Sequence, residues 1–442
     1  MKSRWGSIVG CAALVASACA GSNEADSVAS LSSTSRPAAS TTALDPTTST
    51  TAPRATVRVG AAVAADTDFV SWSGARVGLI SHRSSMVGDR HVADLLAASE
   101  NVELVALFGP EHGVRGTADA GEDVPDSVDV ATGVPVHSLY GDTRQPTAAM
   151  LENLDVLFYD LQDVGARYYT YISTMGLAMQ AAAELDVTFV VFDRPNPLGD
   201  VVGGDMRGEE FESFVGMYPI AERYGLTPAE LAHAIKGEQW LPGLGDLDLQ
   251  VVLIDGWSGE PGWPTDQPWI EPSPAITRSE TALLYPATVL LEATTISLGR
   301  GTPTPFELVG APRVDAEALL DDLLRLELPG VAIEPLTFTP RLSEVISVEP
   351  LHLDKEIDGL RLVVTDAATI RPTELGLHLL DALLQQVAAE ELIDRPEWLD
   401  RLTGSSDVRE TIERGGALAD LIPARRIAAA EFATVVDPYR LY

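Results

Sequence analysis

Glu111 and His112 follow an apolar run without a break. In "VALFGPEHGVRG" (105–116) the run ends at Gly109-Pro110, and an acid, an imidazole and then Arg115 stand among glycines. A carboxyl beside an imidazole can move protons, and an arginine nearby can hold an anion. Two further clusters also follow apolar runs directly. "DLQDVGARYYTY" (160–171) carries Asp160, Gln162, Asp163, Arg167, Tyr168 and Tyr169, and "FDRPNPLGDVVGG" (192–204) carries Asp193, Arg194 and Asn196. Each cluster has a structural alternative. Glu111 is open to capping a turn, Asp160 and Asp163 to capping or solvation, and Asp193-Arg194 to a local ion pair that holds the Pro195-Asn196-Pro197 turn. The two tyrosines fit stacking on a ligand or plain packing. Arg167 is expected to touch a ligand, because arginine is rarely buried unpaired.

The elements around these clusters must position them. The runs 75–81, 102–108, 155–161, 187–193 and 249–255 read as strands, and the near-continuous apolar character of the middle ones suits a sheet buried on both faces. Helix patterns fall at about 90–100, 146–154 and 172–185, and Thr227-Pro228-Ala229-Glu230 is a capping box with proline at the first helical position. This alternation predicts an α/β fold, with a Rossmann-like, mostly parallel sheet followed by a smaller C-terminal α/β domain. The expected boundaries are 57–285 and 286–442. In such a sheet ligands bind at the carboxyl ends of the strands, so all three clusters are expected to meet at one edge. A loop dense in Pro, Gly and Trp (257–276) is expected to cross between domains or line a site. In the second domain, 360–366 reads as a strand and 374–392 and 408–415 as helices.

With 442 residues the chain exceeds one ordinary core, and 45% hydrophobic content is that of a globular protein. The net charge of −35 argues against a nucleic-acid partner on electrostatic grounds, and any anionic substrate group needs a local arginine clamp. Residues 1–19 combine Lys2 and Arg4 with a short apolar stretch and small residues before Cys19, the pattern of a lipoprotein-type signal peptide with Cys19 as the lipidation site. The expectation is export, with a lipid anchor in the cell envelope as the membrane attachment and plain secretion as the alternative. Residues 20–56 are rich in Ser, Thr, Ala and Pro and read as a disordered linker. Cys11 and Cys19 are the chain's cysteines, which leaves the folded part without a thiolate nucleophile, disulfide or thiolate metal site.

GxGxxG, GxSxG and HExxH patterns are absent, which argues against a dinucleotide, a serine hydrolase of the α/β type and a zinc site. His82, His91, His137 and His233 show no metal-ligand spacing.

The blocks "LFGPEHGVRG", "SLYGDTRQPT", "DLQDVGARYYTYISTM", "DRPNPLG", "FVGMYPI", "LLYPATVLLEATTISLGRGTPTPFELVGAP" and the terminal "PYRLY" occur in order from about Val77 to Tyr442. Together they resemble the NamZ family of exo-β-N-acetylmuramidases. The resemblance implies removal of terminal N-acetylmuramic acid from the non-reducing end of peptidoglycan-derived muropeptides or disaccharides. It also implies no nucleotide cofactor, and it places the family's catalytic glutamate on Glu111. Departures from the family pattern occur at Ser81-His82-Arg83-Ser84, Tyr224, Ala275, Ala293 and Thr295.

On that resemblance, the cleavage needs an acid with a raised pKa to protonate the leaving oxygen, a role that suits Glu111 among glycines that let a sugar approach. An arginine fork would bind the lactyl carboxylate of muramic acid, with Arg167 or Arg115 first and Arg194 and Arg300 behind them. The anomeric centre is left to Asp163 or Asp160, to His112, or to the substrate's own N-acetyl group. Two alternatives stay open: a surface-tethered lipoprotein that binds sugars without cleaving them, and a metal-dependent hydrolase using Glu111, His112, His137 and Asp163.

Overall fold

A computed structural model describes residues 56–116, 124–342 and 349–442. The signal segment with Cys19, and the linker up to residue 55, lie outside the described residues. Seven strands form the main sheet: β1 (Arg76–Ser81), β2 (Glu103–Gly109), β3 (Ser127–Val128), β4 (Pro135–Ser138), β5 (Val156–Asp160), β6 (Thr188–Phe192) and β7 (Leu249–Val252). Their order is β7-β6-β5-β1-β2-β4-β3, with every pairing parallel except the short edge pair β3–β4. Counting the six parallel strands along the chain, this is the doubly wound Rossmann order, with the direction of winding reversing between β1 and β5.

Alternation along each strand explains the burial on both faces. Leu157 and Tyr159 of β5 and Phe189 and Val191 of β6 enter one core, while Val156, Phe158, Val190 and Phe192 enter the other. A side-chain period of two sends neighbours to opposite faces, so a strand covered on both sides must be apolar throughout. On the second face Phe158 and Phe192 stack at 4.7 Å, and Trp72 meets Phe158 edge-on at 5.0 Å.

The helix at Pro228–Gly237 starts as its capping box requires. The Glu230 amide donates to Thr227 Oγ1 at 3.3 Å, and Glu230 Oε2 accepts from the Thr227 amide at 2.8 Å. The other α-helices described in this half are Gly60–Ala65, Val92–Ala97, Ala148–Leu151 and Tyr171–Glu184.

The C-terminal part contains an antiparallel sheet of β8 (Leu308–Gly310), β9 (Val331–Phe338) and β10 (Ile357–Val364), in the order β8-β10-β9. The helix expected over 374–392 is two helices, Pro372–Leu384 and Ala389–Leu392, separated where Val387 turns into the core. Pro53–Tyr442 forms one compact unit. Helix Ser279–Thr288 passes through the expected 285/286 boundary, and Tyr168, Tyr285 and Leu377 share one hydrophobic core. The final residues return to the first sheet. Arg440 donates to Gly225 O and Asp200 O, each at 2.9 Å, and Tyr442 Oη donates to Asp193 Oδ2 at 2.7 Å.

Candidate active site

β2 delivers Glu111 through a tight reversal. The Gly113 amide donates to Pro110 O at 2.9 Å, and His112 holds φ +74° with Gly113 at +77°. A left-handed backbone is rare for a non-glycine residue, and such conformations persist where the surroundings enforce them. The glycines here serve the backbone. A Cβ on Gly116 would lie 2.4 Å from His112 O, and one on Gly109 would lie 3.2 Å from Gly113 Cα and from Val114 N. Room for the chain to fold back is therefore their first use, ahead of room for a sugar.

Glu111 is half-buried, and its Oε2 accepts a 2.6 Å hydrogen bond from Thr170 Oγ1. His112 is buried, with its ring 6.2 Å from that of His82. His82 follows β1 directly and is itself fully buried. Its Nδ1 lies 3.3 Å from Ser84 Oγ, its Nε2 makes no hydrogen bond, and burial lowers its pKa well below the ordinary value. The neutral imidazole follows, reinforced by the neighbouring His112.

Glu111 and His112 open onto a cavity of about 480 Å³. Tyr140, Tyr168, Tyr169 and Tyr285 give it aromatic walls, continued by Phe306 and Trp398. Its cations are Arg300 and Arg395, and its other carboxylates among the described residues are Glu292 and Glu349. Arg300 pairs with Glu292 at 2.6 Å and lies 5.0 Å over the Phe306 ring, while Arg395 donates to Glu292 O. The loop 257–276 ends in Ser273-Pro274-Ala275-Ile276, which forms part of the rim. Such a site, mostly apolar with a few convergent polar groups, is that of a small-molecule pocket.

Two family models match this chain in tandem: the N-terminal domain of exo-beta-N-acetylmuramidase NamZ over residues 77–280, and its C-terminal domain over 283–442. The chain belongs to the NamZ family. As a member it is a glycoside hydrolase. A curated relative, the peptidoglycan beta-N-acetylmuramidase NamZ of Bacillus subtilis (strain 168), is 38% identical over 372 residues, covering 84% of this chain and 87% of that protein. Two solved structures of DUF1343 family proteins from Bacteroides fragilis NCTC 9343 share the fold. One has TM-score 0.80 and 34% identity, covering 88% of this chain and all of that one; the other has 0.71 and 30%, covering 87% and 99%.

Of the residues singled out in the sequence, Glu111, His112, Tyr168, Tyr169 and Arg300 line the NamZ cavity. The others lie elsewhere. Arg115 is held by Asp94 and Asp129, both at 2.6 Å, on the protein surface. Asp160 and Arg194 form a buried two-pronged pair at 2.6 and 2.9 Å. Gln162 Nε2 donates to Asp163 O at 2.8 Å and Pro195 O at 2.7 Å. The Asn196 amide ties Gly199 O, Leu226 O and the Leu198 amide into one turn. Arg167, expected to touch a ligand, is fully buried and donates to Asp205 O, Ile220 O and Leu402 O at 2.7, 2.7 and 3.1 Å. These side chains satisfy backbone groups where irregular segments meet, which gives a polar residue a reason to be buried without a ligand.

Asp163 and Asp193 are buried carboxyls outside the cavity lining. Asp163 accepts from Tyr224 Oη and, at 2.6 Å, from the Gly165 amide, and Asp193 accepts from the amides of Arg194 (3.0 Å) and Ala229 (2.9 Å). Burial pushes each from the ordinary 3.8 up to about 7, opposed by the hydrogen bonds from Tyr224 and Gly165 at Asp163 and by those from Ala229 and Tyr442 at Asp193. A carboxyl raised on folding binds its proton more tightly in the native state. Its stabilising contribution is therefore complete below the unfolded value and is lost as pH rises through the folded one. Urea midpoints are expected to fall between about pH 4 and pH 7, and Asp163→Asn to flatten that slope; an unchanged slope would mean Asp163 is ionised throughout.

Thr170, Tyr285, Glu292, Arg395 and Trp398 were missing from the sequence-derived set. Tyr285 and Glu292 lie inside a block that carries the family resemblance. Arg395, by contrast, lies outside every such block and directly precedes the helix Pro396–Thr403. Of the departures from the family pattern, Ala275 lines the cavity, whereas Tyr224, Ala293 and Thr295 do not.

Proposed function

We propose that this NamZ enzyme releases terminal N-acetylmuramic acid from the non-reducing end of peptidoglycan fragments, with Glu111 as the general acid. The observation that carries the assignment is the placement of Glu111 at the carboxyl end of β2, fixed by Thr170 and facing an aromatic-walled cavity. A protonated Glu111 gives its proton to the glycosidic oxygen as the bond to the anomeric carbon breaks, and the resulting carboxylate then takes a proton from the attacking water. Asp160 and Asp163 are held away from the cavity by their own partners, so the anomeric side falls to His112, Glu292 and the substrate's N-acetyl group. The test is turnover of a chromogenic muramic acid glycoside beside its glucosamine analogue, with the product anomer followed by NMR. Turnover of the glucosamine compound alone overturns the reading.

Arg300 and Arg395 are the cations placed to meet the lactyl carboxylate. A charge-assisted hydrogen bond contributes about 1.5–3 kcal/mol, so Arg395→Gln is expected to lower kcat/KM for the muramic glycoside about 10- to 100-fold. The glucosamine analogue, which lacks the carboxylate, should hardly change. An equal loss on both substrates would remove Arg395 from this role.

Export and lipid attachment at Cys19 are part of the same proposal, supported by the residue pattern of 1–19. Metabolic labelling with a fatty acid should mark the wild type and leave Cys19→Ala unlabelled; equal labelling of both would refute acylation at this residue.

A further inference from the structure

A second cavity, of about 570 Å³, shares no lining residue with the Glu111 cavity. It lies between the hairpin of Gly203–Met206 and Ala221–Arg223, the start of helix Pro372–Leu384 and one side of helix Ile422–Val436. Its lining is cationic in a chain whose net charge is −35. Arg223, Arg371, Arg425 and Arg426 all border it, with Glu374 as the carboxylate among the described lining residues.

Two of these arginines are buried, Arg425 with an ion pair to Glu222 and Arg223 without one among the described residues. Arg223 is 3% exposed and turns both Nε and Nη2 to Leu198 O; among the described residues no carboxylate forms an ion pair with it, although Asp200 lies close enough to favour its charge. Arg425 is 6% exposed and gives Nη1 to Glu222 Oε1 at 2.9 Å. Its Nη2 makes no hydrogen bond, although Asp205 Oδ2 lies 3.5 Å away. The outer pair is differently placed. Arg426 holds Glu374 by two bonds at 2.6 and 2.7 Å, and Arg371 lies 3.8 Å from the same carboxylate. Helix Pro372–Leu384 points its first turn, which no side chain caps, at this cavity. Its dipole and amides add to the positive field.

Burying a guanidinium outside ion-pair distance of a carboxylate is costly, and an anion arriving at the cavity would offset that cost for Arg223. Beside the hydroxyls of Thr369 and Thr373, Val202, Ile370, Leu377 and Ala429 give the cavity apolar walls, so it suits an anionic group carried on a small apolar body. We propose that this cavity is a binding site for a small molecule bearing a phosphate or carboxylate group, separate from the hydrolytic site.

The test uses the purified protein with inorganic phosphate and, in a parallel arm, N-acetylalanine. At least one of them should raise the melting temperature saturably, beyond the effect of chloride at equal ionic strength. Response to phosphate alone assigns a phosphate ligand, response to N-acetylalanine alone a carboxylate ligand, and response to both the shared oxyanion chemistry. Two exposed lining positions supply the controls. Arg371→Gln removes a cation, and Ala430→Glu places a carboxylate in the cavity without deleting a contact. Each should weaken the apparent affinity by about tenfold or more while muramic acid release without added anion stays at the wild-type rate. Absence of a saturable shift in both arms, or the same shift in both variants as in the wild type, overturns the proposal.

Discussion

Glu111→Gln should fold normally and lose about 10²- to 10⁴-fold in kcat on a natural disaccharide, the range expected for removing a general acid. The substitution is nearly isosteric, and the amide oxygen can still accept the hydrogen bond that Thr170 gives to Glu111 Oε2. The strained turn that carries the residue, with His112 at φ +74°, is untouched. Loss of activity would therefore report the missing proton and leave the architecture out of account. The leaving group separates an acid from a residue that merely holds substrate. A nitrophenolate departs without protonation, so an activated aryl glycoside should recover much of the lost rate in the bond-breaking step, whereas the disaccharide should not. Steady-state rates on both substrates, with circular dichroism to confirm folding, decide the matter. Wild-type turnover of the disaccharide by Glu111→Gln would end the assignment.

The strands, the capping box at Thr227 and Glu230, and the position of Glu111 at a strand end were all legible, because each is encoded locally. A strand buried on both faces must be apolar through its middle, and β5 and β6 are, with only Asp160 at the carboxyl end of one and Thr188 at the start of the other. The site beyond Glu111 was only partly legible. Asp160, Asp163, Arg167, Asp193 and Asn196 all stand at the carboxyl edge of the sheet, as their positions after strands suggested. Most of them face the protein's own backbone instead of the cavity, and sequence adjacency cannot distinguish the two. The carbonyls that Arg167 serves are 38, 53 and 235 residues away. The cavity walls have the same character. Arg395 and Trp398 come from the C-terminal part and reach the cavity that Glu111 lines through tertiary packing, with no periodicity or motif to announce it.

Arg167→Met tests that distinction through stability, and its expected effect is large. The guanidinium has no solvent exposure, and its Nη atoms supply hydrogen bonds to Asp205 O, Ile220 O and Leu402 O. Glu222, also fully buried, lies close enough to feel the Arg167 charge while its direct partner is Arg425. Methionine fills much of the volume but removes three hydrogen bonds, leaving Ile220 O with only the long one from the Arg207 amide, and it leaves Glu222 with one cation. Breaking a buried polar network of this kind by deleting one partner costs about 3–5 kcal/mol, a large fraction of the stability of a typical domain. Urea denaturation should show a lowered midpoint, or the protein should fail to accumulate in soluble form. A substrate-binding arginine would behave in the opposite way, with stability intact and KM raised. The decisive comparison is with Arg395→Gln, which should retain wild-type stability and lose preference for the muramic substrate. A stable Arg167→Met with raised KM would show that this guanidinium reaches the substrate in a conformation other than the one described.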